Sequence, residues 1–277
     1  MYQYPFQSNF LNIEGKKYHY LDEGAGSPIV MVHGNPSWSY YYRNLVCELR
    51  KSHRCIVPDH IGCGFSDKPQ DYQYTLENHI SNLERLIEHL QLKNITLIMH
   101  DWGGAIGMGY ATRHPKNISK LVILNTAAFI INHLPLRIRI CRIPMFGEIA
   151  VRGFNAFALG ATYMACKSMS QKTRKTYITP YDNYKNRIAT LKFIHDIPFS
   201  PKHPTWKTIK EIESKLALFK DTEKIIFWGK KDFCFDDVFL KKWKEIYPNA
   251  EIIEFKDAGH YVLEDAGDEI LTKLKSL

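Results

Sequence analysis

The sequence predicts an α/β fold: a mostly parallel sheet of eight strands, helices on both of its faces and a helical insertion. Three observations carry that expectation. Eight short segments have strand character, and helix-like segments alternate with the later ones. After Leu124 the alternation lapses for close to ninety residues, and strand character returns at Glu223. Strands that alternate with helices need crossover connections, which bury a parallel sheet on both faces.

In chain order, strands near 10–14 and 17–21 are expected to form an antiparallel edge. A strand at 28–33, a helix at 39–50 and a strand at 54–58 follow. A helix over 75–91 leads to the strand Ile95-Thr96-Leu97-Ile98-Met99. The small residues of Gly103-Gly104-Ala105-Ile106-Gly107 then open a helix over 103–114 that suits close packing on the sheet. A strand at 120–124 ends the first part of the core, residues 1–125. Residues 126–213, rich in aromatics, Arg and Pro and helical in pieces, read as an inserted cap. Residues 214–277 complete the core with a strand at 223–228, a helix at 236–247, a strand at 250–255 and a helix at 264–275. No repeat or Gly/Ser linker divides the chain. At 277 residues and 45% hydrophobic content it is large enough to bury a substantial core.

Composition excludes several classes. The net charge of +8 is read as solvated surface, because the basic residues are taken to be spread among acids with no aromatic-interleaved basic patch; no nucleic-acid partner is expected. The most basic stretch, Arg137 to Arg142, reads as a helix or loop of the insertion with exposed arginines, contact with an anionic surface being the lesser reading. Six cysteines form no CxxC pair and no metal-ligand cluster, so reduced thiols are expected. Twelve histidines include no HExxH, and neither a metal nor a cofactor is expected. No stretch reaches the roughly 20 apolar residues of a membrane span and the start lacks a secretory pattern, which points to a cytoplasmic protein without an integral span. Oligomeric state is not legible.

The chemistry concentrates at Leu97-Ile98-Met99-His100-Asp101-Trp102-Gly103-Gly104, where an acid stands between a buried strand and a helix of small residues. Such a sharp turn projects its side chain above the sheet, and the helix N-terminus favours negative charge. A helix-capping Asp would explain the position taken alone. Asp232 and His260 follow in the order nucleophile, acid, histidine, each after a predicted strand, and His33-Gly34-Asn35-Pro36 ends the strand Pro28–Val32. A carboxylate nucleophile suits displacement of a leaving group from saturated carbon, which leaves an alkyl ester. His260 would activate water against that ester, while Asp232 orients the imidazole. The loop Asp59-His60-Ile61-Gly62-Cys63-Gly64 lacks the Lys and spacing of a phosphate cradle, so Asp59 reads as structural.

With these residues in place the chain resembles the α/β-hydrolase superfamily over nearly its whole length, and within it the haloalkane dehalogenases. Asn125 stands where some dehalogenases carry a Glu acid, a role that Asn cannot fill. Asp101, His260, Asp232, Asn35 and Trp102 together look like the third dehalogenase subfamily, which includes β-lactone decarboxylases of bacterial olefin biosynthesis. The resemblance implies that the indole N–H of Trp102 and the carboxamide of Asn35 hold the leaving group, and that the backbone N–H groups of both form the oxyanion hole. Met99 departs from the glycine common two residues before such nucleophiles.

The main expectation is a haloalkane dehalogenase acting on a small apolar substrate with water. Three alternatives stay open: a β-lactone decarboxylase on the same site, an epoxide hydrolase, for which Tyr163, Tyr177, Tyr181 and Tyr184 of the insertion could supply the proton donor, and a non-catalytic ligand-binding receptor. Phe129, Phe154, Phe157, Leu159 and Met164 are expected to roof the pocket, and no role is assigned to His195 or His203.

Overall fold

The structure, a computed structural model, describes residues 4–130, 136–143, 145–167 and 169–275. Eight strands are present: β1 Asn9–Ile13, β2 Lys16–Glu23, β3 Pro28–Val32, β4 Arg54–Pro58, β5 Ile95–Asp101, β6 Ile118–Thr126, β7 Glu223–Gly229 and β8 Glu251–Phe255. They form one sheet in the order β1-β2-β4-β3-β5-β6-β7-β8. β2 runs antiparallel to both its neighbours and every other pairing is parallel, so the antiparallel edge stands where the first strands predict it.

The central strands are apolar on both faces and their side chains alternate between two cores. Val30, Val32, Leu97, Met99, Leu121 and Ile123 face one core. There they meet α2 (Leu76–His89), α3 (Trp102–Arg113) and α9 (Asp237–Ile246). Ile29, Met31, Ile98, Val122 and Leu124 face the other. That side is covered by α1 (Arg43–Leu49) and α11 (Gly267–Leu274). Two predicted helices are interrupted: Ser39–Tyr42 is a 3₁₀ turn before α1, and α10 (Val262–Asp265) is separated from α11 at Ala266. Met99 is accommodated by Gly107, where a Cβ would sit 2.7 Å from the Met99 sulfur, so the glycine that a nucleophile turn often places on the strand stands here on the helix.

Between β6 and β7 lie α4 (Leu136–Cys141), a π-helical turn Glu148–Gly153, α5 (Ala156–Ala161), α6 (Gln171–Ile178), α7 (Ile188–His195) and α8 (Pro204–Lys215). α8 packs on α2 and α3 and belongs with the core layer. The rest has a satellite core of its own around Ile138, Val151, Leu191 and Ile194. The insertion is laced to the core by buried polar groups. Arg43 pairs with Glu264 through two nitrogens, at 2.6 and 2.9 Å, and Tyr177 of α6 donates to the same carboxylate at 2.5 Å. Asp265 accepts from the N–H groups of Cys166, Lys167 and Gly259. Asp196, after α7, accepts from the N–H of Leu76 at 2.7 Å and from Thr205 at 2.5 Å, so it caps α2 from the insertion. Within 136–142 the Arg137 side chain lies outside the described residues; Arg139 is exposed, and Arg142 donates to the carbonyls of Ile194 and Ile197. Among the described residues no helix is long and apolar enough to cross a membrane.

Candidate active site

Asp101 ends β5 with φ 52° and ψ −127°, in the half of backbone space that L-residues avoid, and α3 begins at the next residue. Such a conformation costs about 1–3 kcal/mol and persists only where the surroundings fix it. They do so here: Thr126 donates to the Asp101 carbonyl, and a Cβ on Gly103 would collide with the Val32 carbonyl where the helix start abuts β3. The carboxylate stands above the carboxyl edge of the sheet. Its Oδ1 accepts from the Asn35 N–H at 2.7 Å, and the Trp102 N–H also bonds to the group. A Cβ on Gly34 would occupy the carboxylate's place, which explains the glycine there. The two expected oxyanion-hole donors thus both bond to the Asp101 carboxylate, the Asn35 N–H through Oδ1.

His260 comes from the loop after β8, with Nε2 3.7 Å from Asp101 Oδ2, too long for a hydrogen bond. Its Nδ1 bonds to Asp232 Oδ2 at 2.8 Å. Asp232, in the turn after β7, is itself held through Oδ1 by the N–H groups of Cys234 and Phe235, at 2.7 and 3.2 Å. Burial raises the Asp101 carboxyl above the usual range, although His260 and the N–H groups of Trp102 and Asn35 pull it down. Burial opposes charge on His260, but Asp232, with Asp101 beyond it, outweighs that and raises the imidazole above its ordinary value. All three acid–base residues predicted from sequence are therefore brought together.

Trp102 and Asn35 line the same cavity as Asp101 and His260, a space of about 160 Å³. The Asn35 side chain donates through Nδ2 to the Thr190 carbonyl of α7 at 3.0 Å, so one N–H is committed to the insertion and the other remains for a leaving group. Phe193 of the same helix packs on Trp102, ring centroids 5.5 Å apart. Phe129, Phe157 and Met164 line the cavity as expected. Phe154 and Leu159 do not: Phe154, just after the π-helical turn, is 74% exposed, and Leu159, on α5, is 41% exposed. None of the four tyrosines lines the cavity either. Tyr177 and Tyr181 are buried and bonded to Glu264 and the Ser37 carbonyl, while Tyr163 and Tyr184 are exposed.

Sequence reasoning missed several supporting residues. His100 donates through Nε2 to the His260 carbonyl at 2.9 Å and stacks on Tyr41; burial drives its pKa well down and keeps it neutral. Phe235 lies parallel to the His260 ring, centroids 5.8 Å apart. The loop bearing Asn35 is built on His33, which donates to the Gly34 carbonyl and accepts from the His60 N–H. Asp59 beneath it accepts from His19 and from the N–H groups of Ser39 and Phe65, a structural role as predicted. Asn125 bonds both N–H and carbonyl of Gly229 and pins β6 to β7. His203 caps α8.

Residues 27–141 match the α/β hydrolase fold family. A cis-3-alkyl-4-alkyloxetan-2-one decarboxylase of Shewanella oneidensis is 52% identical to this chain over 98% of it and 88% of the relative. A haloalkane dehalogenase of Mycolicibacterium paratuberculosis is 30% identical to it, over 99% of this chain and 93% of the relative. The chain belongs to the α/β-hydrolase superfamily, in the haloalkane dehalogenase family. A decarboxylase of the same description from Xanthomonas campestris pv. campestris is 43% identical, over 99% and 96% of the two chains. Among solved structures, the haloalkane dehalogenase DatA from Agrobacterium tumefaciens C58 superposes on this α/β-hydrolase with a TM-score of 0.88 at 27% identity, over 98% and 95% of the chains.

Proposed function

We propose that the protein is a β-lactone decarboxylase, which converts an oxetan-2-one bearing alkyl groups on C3 and C4 into carbon dioxide and an alkene. One observation carries the reading: the relatives at 52% and 43% identity share that description, while the dehalogenase of known structure stands at 27%. This reverses the order of the two leading sequence expectations and keeps their residues. The cavity around Asp101 is lined chiefly by apolar side chains, which suits two alkyl substituents, and the absence of a lining tyrosine among the described residues removes the proton donor an epoxide would need. Residues 126–213, with α8 on the core side, act as the cap.

Asp101 Oδ2 attacks C4 of the lactone ring with inversion. The C4–O1 bond breaks, and the ring oxygen becomes part of a carboxylate that Trp102 and the remaining Asn35 N–H stabilise as neutral donors. An alkyl ester joins C4 to Asp101. The bond between C3 and the carboxylate carbon then breaks, its electron pair forms the C3–C4 double bond, and the C4–Oδ2 bond breaks to return Asp101 as a carboxylate. Inversion followed by anti fragmentation converts a cis lactone into a cis alkene, and no water is consumed. A haloalkane would give the same ester, but its release needs water activated by neutral His260.

The two chemistries separate by label and by pH. In H₂¹⁸O, turnover of a cis-dialkyl lactone leaves the Asp101 carboxylate unlabelled by peptide mass spectrometry, whereas ester hydrolysis labels it. Alkene formation needs only an ionised Asp101, while any alcohol formation also needs neutral His260 and is lost as pH falls through its raised pKa. Trp102→Phe lowers the alkene rate about 10²–10³-fold, as the loss of an oxyanion-hole donor does. Halide release from haloalkanes with label in Asp101, and no alkene from the lactone, overturns the reading.

A further inference from the structure

We infer that the outer face of the insertion docks on an anionic lipid surface and presents the mouth of the cavity to it. The +8 charge is not spread evenly: residues 126–213 contain fourteen Lys or Arg against five Asp or Glu, a net +9, and the rest of the chain, with twenty-three against twenty-four, is −1. The segment over the active site carries the whole excess. Exposed apolar side chains concentrate in the same segment. Ile140, Ile143, Met145, Phe146 and Ile149 are between 38 and 76% exposed within ten residues, and Arg139 among them is exposed as well. A soluble surface seldom gathers so much apolar area, and a basic segment with large apolar side chains is the composition of an interfacial anchor. The acid in that stretch, Glu148, is engaged by Arg152 and Tyr184.

The face continues into the cavity. Ile138, one turn from Arg142, lines it, and so does Phe199, which is still 41% exposed and therefore stands at its mouth. The Arg142 guanidinium lies over the Phe199 ring at 4.2 Å, an aromatic and cationic pair of the kind that sits at a headgroup boundary. An acidic protein would satisfy the charge but gives no reason for a row of exposed aliphatics leading to an apolar opening; a bilayer satisfies both. Docking does not depend on which reaction Asp101 performs. Its use, delivery of a water-insoluble two-chain lactone from the bilayer, rests on the function proposed above.

Flotation of the full-length protein with vesicles tests this without any activity measurement. The protein floats with phosphatidylglycerol vesicles at low salt, floats far less with phosphatidylcholine, and is released as salt rises. Arg139→Glu, a change of two charges at about 1 kcal/mol each, weakens partition about thirtyfold. Phe146→Glu weakens it about tenfold or more. Both side chains are exposed, so unchanged thermal melting confirms that the variants are folded. No flotation with phosphatidylglycerol overturns the inference, and so does flotation that neither variant reduces. Self-association that Phe146→Glu abolishes, without vesicle binding, also overturns it and assigns the face to a second copy of the chain.

Discussion

Asp101 sits in a backbone conformation and a dielectric setting that both oppose it. In the unfolded chain it ionises in the ordinary carboxylate range and in the folded chain at higher pH, because burial outweighs its N–H partners. Between those two values the folded protein holds more protons than the unfolded one, so stability falls as pH rises and stays lower at neutrality. Asp101→Asn keeps an oxygen for the Asn35 N–H and removes the buried charge. It should abolish turnover and raise the melting temperature at pH 7, and the gain should vanish at pH values below the ordinary range of Asp. Asp101, Asp232 and His260 were legible because their order along the chain follows the order of strand ends in this fold. The grip of Thr190 on Asn35, and of His100 on the His260 carbonyl, spans 155 and 160 residues, and no local pattern encodes such contacts. Phe154 and Leu159 were misread for a related reason: in an irregular segment, residue type does not reveal which way a side chain points.

The strands were legible to within about two residues at either end, the central ones because a sheet covered on both faces demands continuous apolar runs. Helix ends were less so, because they depend on caps drawn from afar. α2 shows this: Thr75 caps it locally through the Asn78 N–H, and Asp196 adds a second cap from the insertion. Burial raises the Asp196 carboxyl to about 6, against hydrogen bonds from Thr205 and Leu76 and the charge of Arg142. Its ionisation is thus disfavoured on folding, and stability is lost as pH rises from the ordinary value of 3.8 through about 6. Asp196→Asn, which still accepts from the Leu76 N–H, should flatten the pH dependence of urea unfolding across that interval. It should also stabilise the neutral-pH protein by up to about 3 kcal/mol. A midpoint that falls at pH 7 and keeps its slope with pH would contradict this account.

For the molecule as a whole, the joint between insertion and core is polar and buried. Arg43 is 1% and Glu264 8% exposed, and together with Tyr177 they tie α1, α6 and α10 at one point. Glu264→Gln leaves the guanidinium buried without its counter-charge, and chemical denaturation should register a loss of about 3–5 kcal/mol. A loss below about 1 kcal/mol, the value of an exposed pair, would mean that water reaches the joint. The division of charge between insertion and core also belongs to this scale. It was hidden from a residue-by-residue reading because no single stretch is strongly basic and the total conceals a near-neutral core.

The loop that carries His260 meets the insertion directly and through a shared acid: the His260 N–H donates to the Met164 carbonyl, and the Gly259 N–H donates to the Asp265 carboxylate, which also holds the N–H groups of Cys166 and Lys167. The insertion and the loop therefore inherit as a unit. A chimaera that receives a relative's residues 126–213 alone should mistune the imidazole, whereas one that receives residues 257–265 with them should keep it. NMR titration of the His260 ring, compared between the two chimaeras, distinguishes a separable roof from one built jointly with the base.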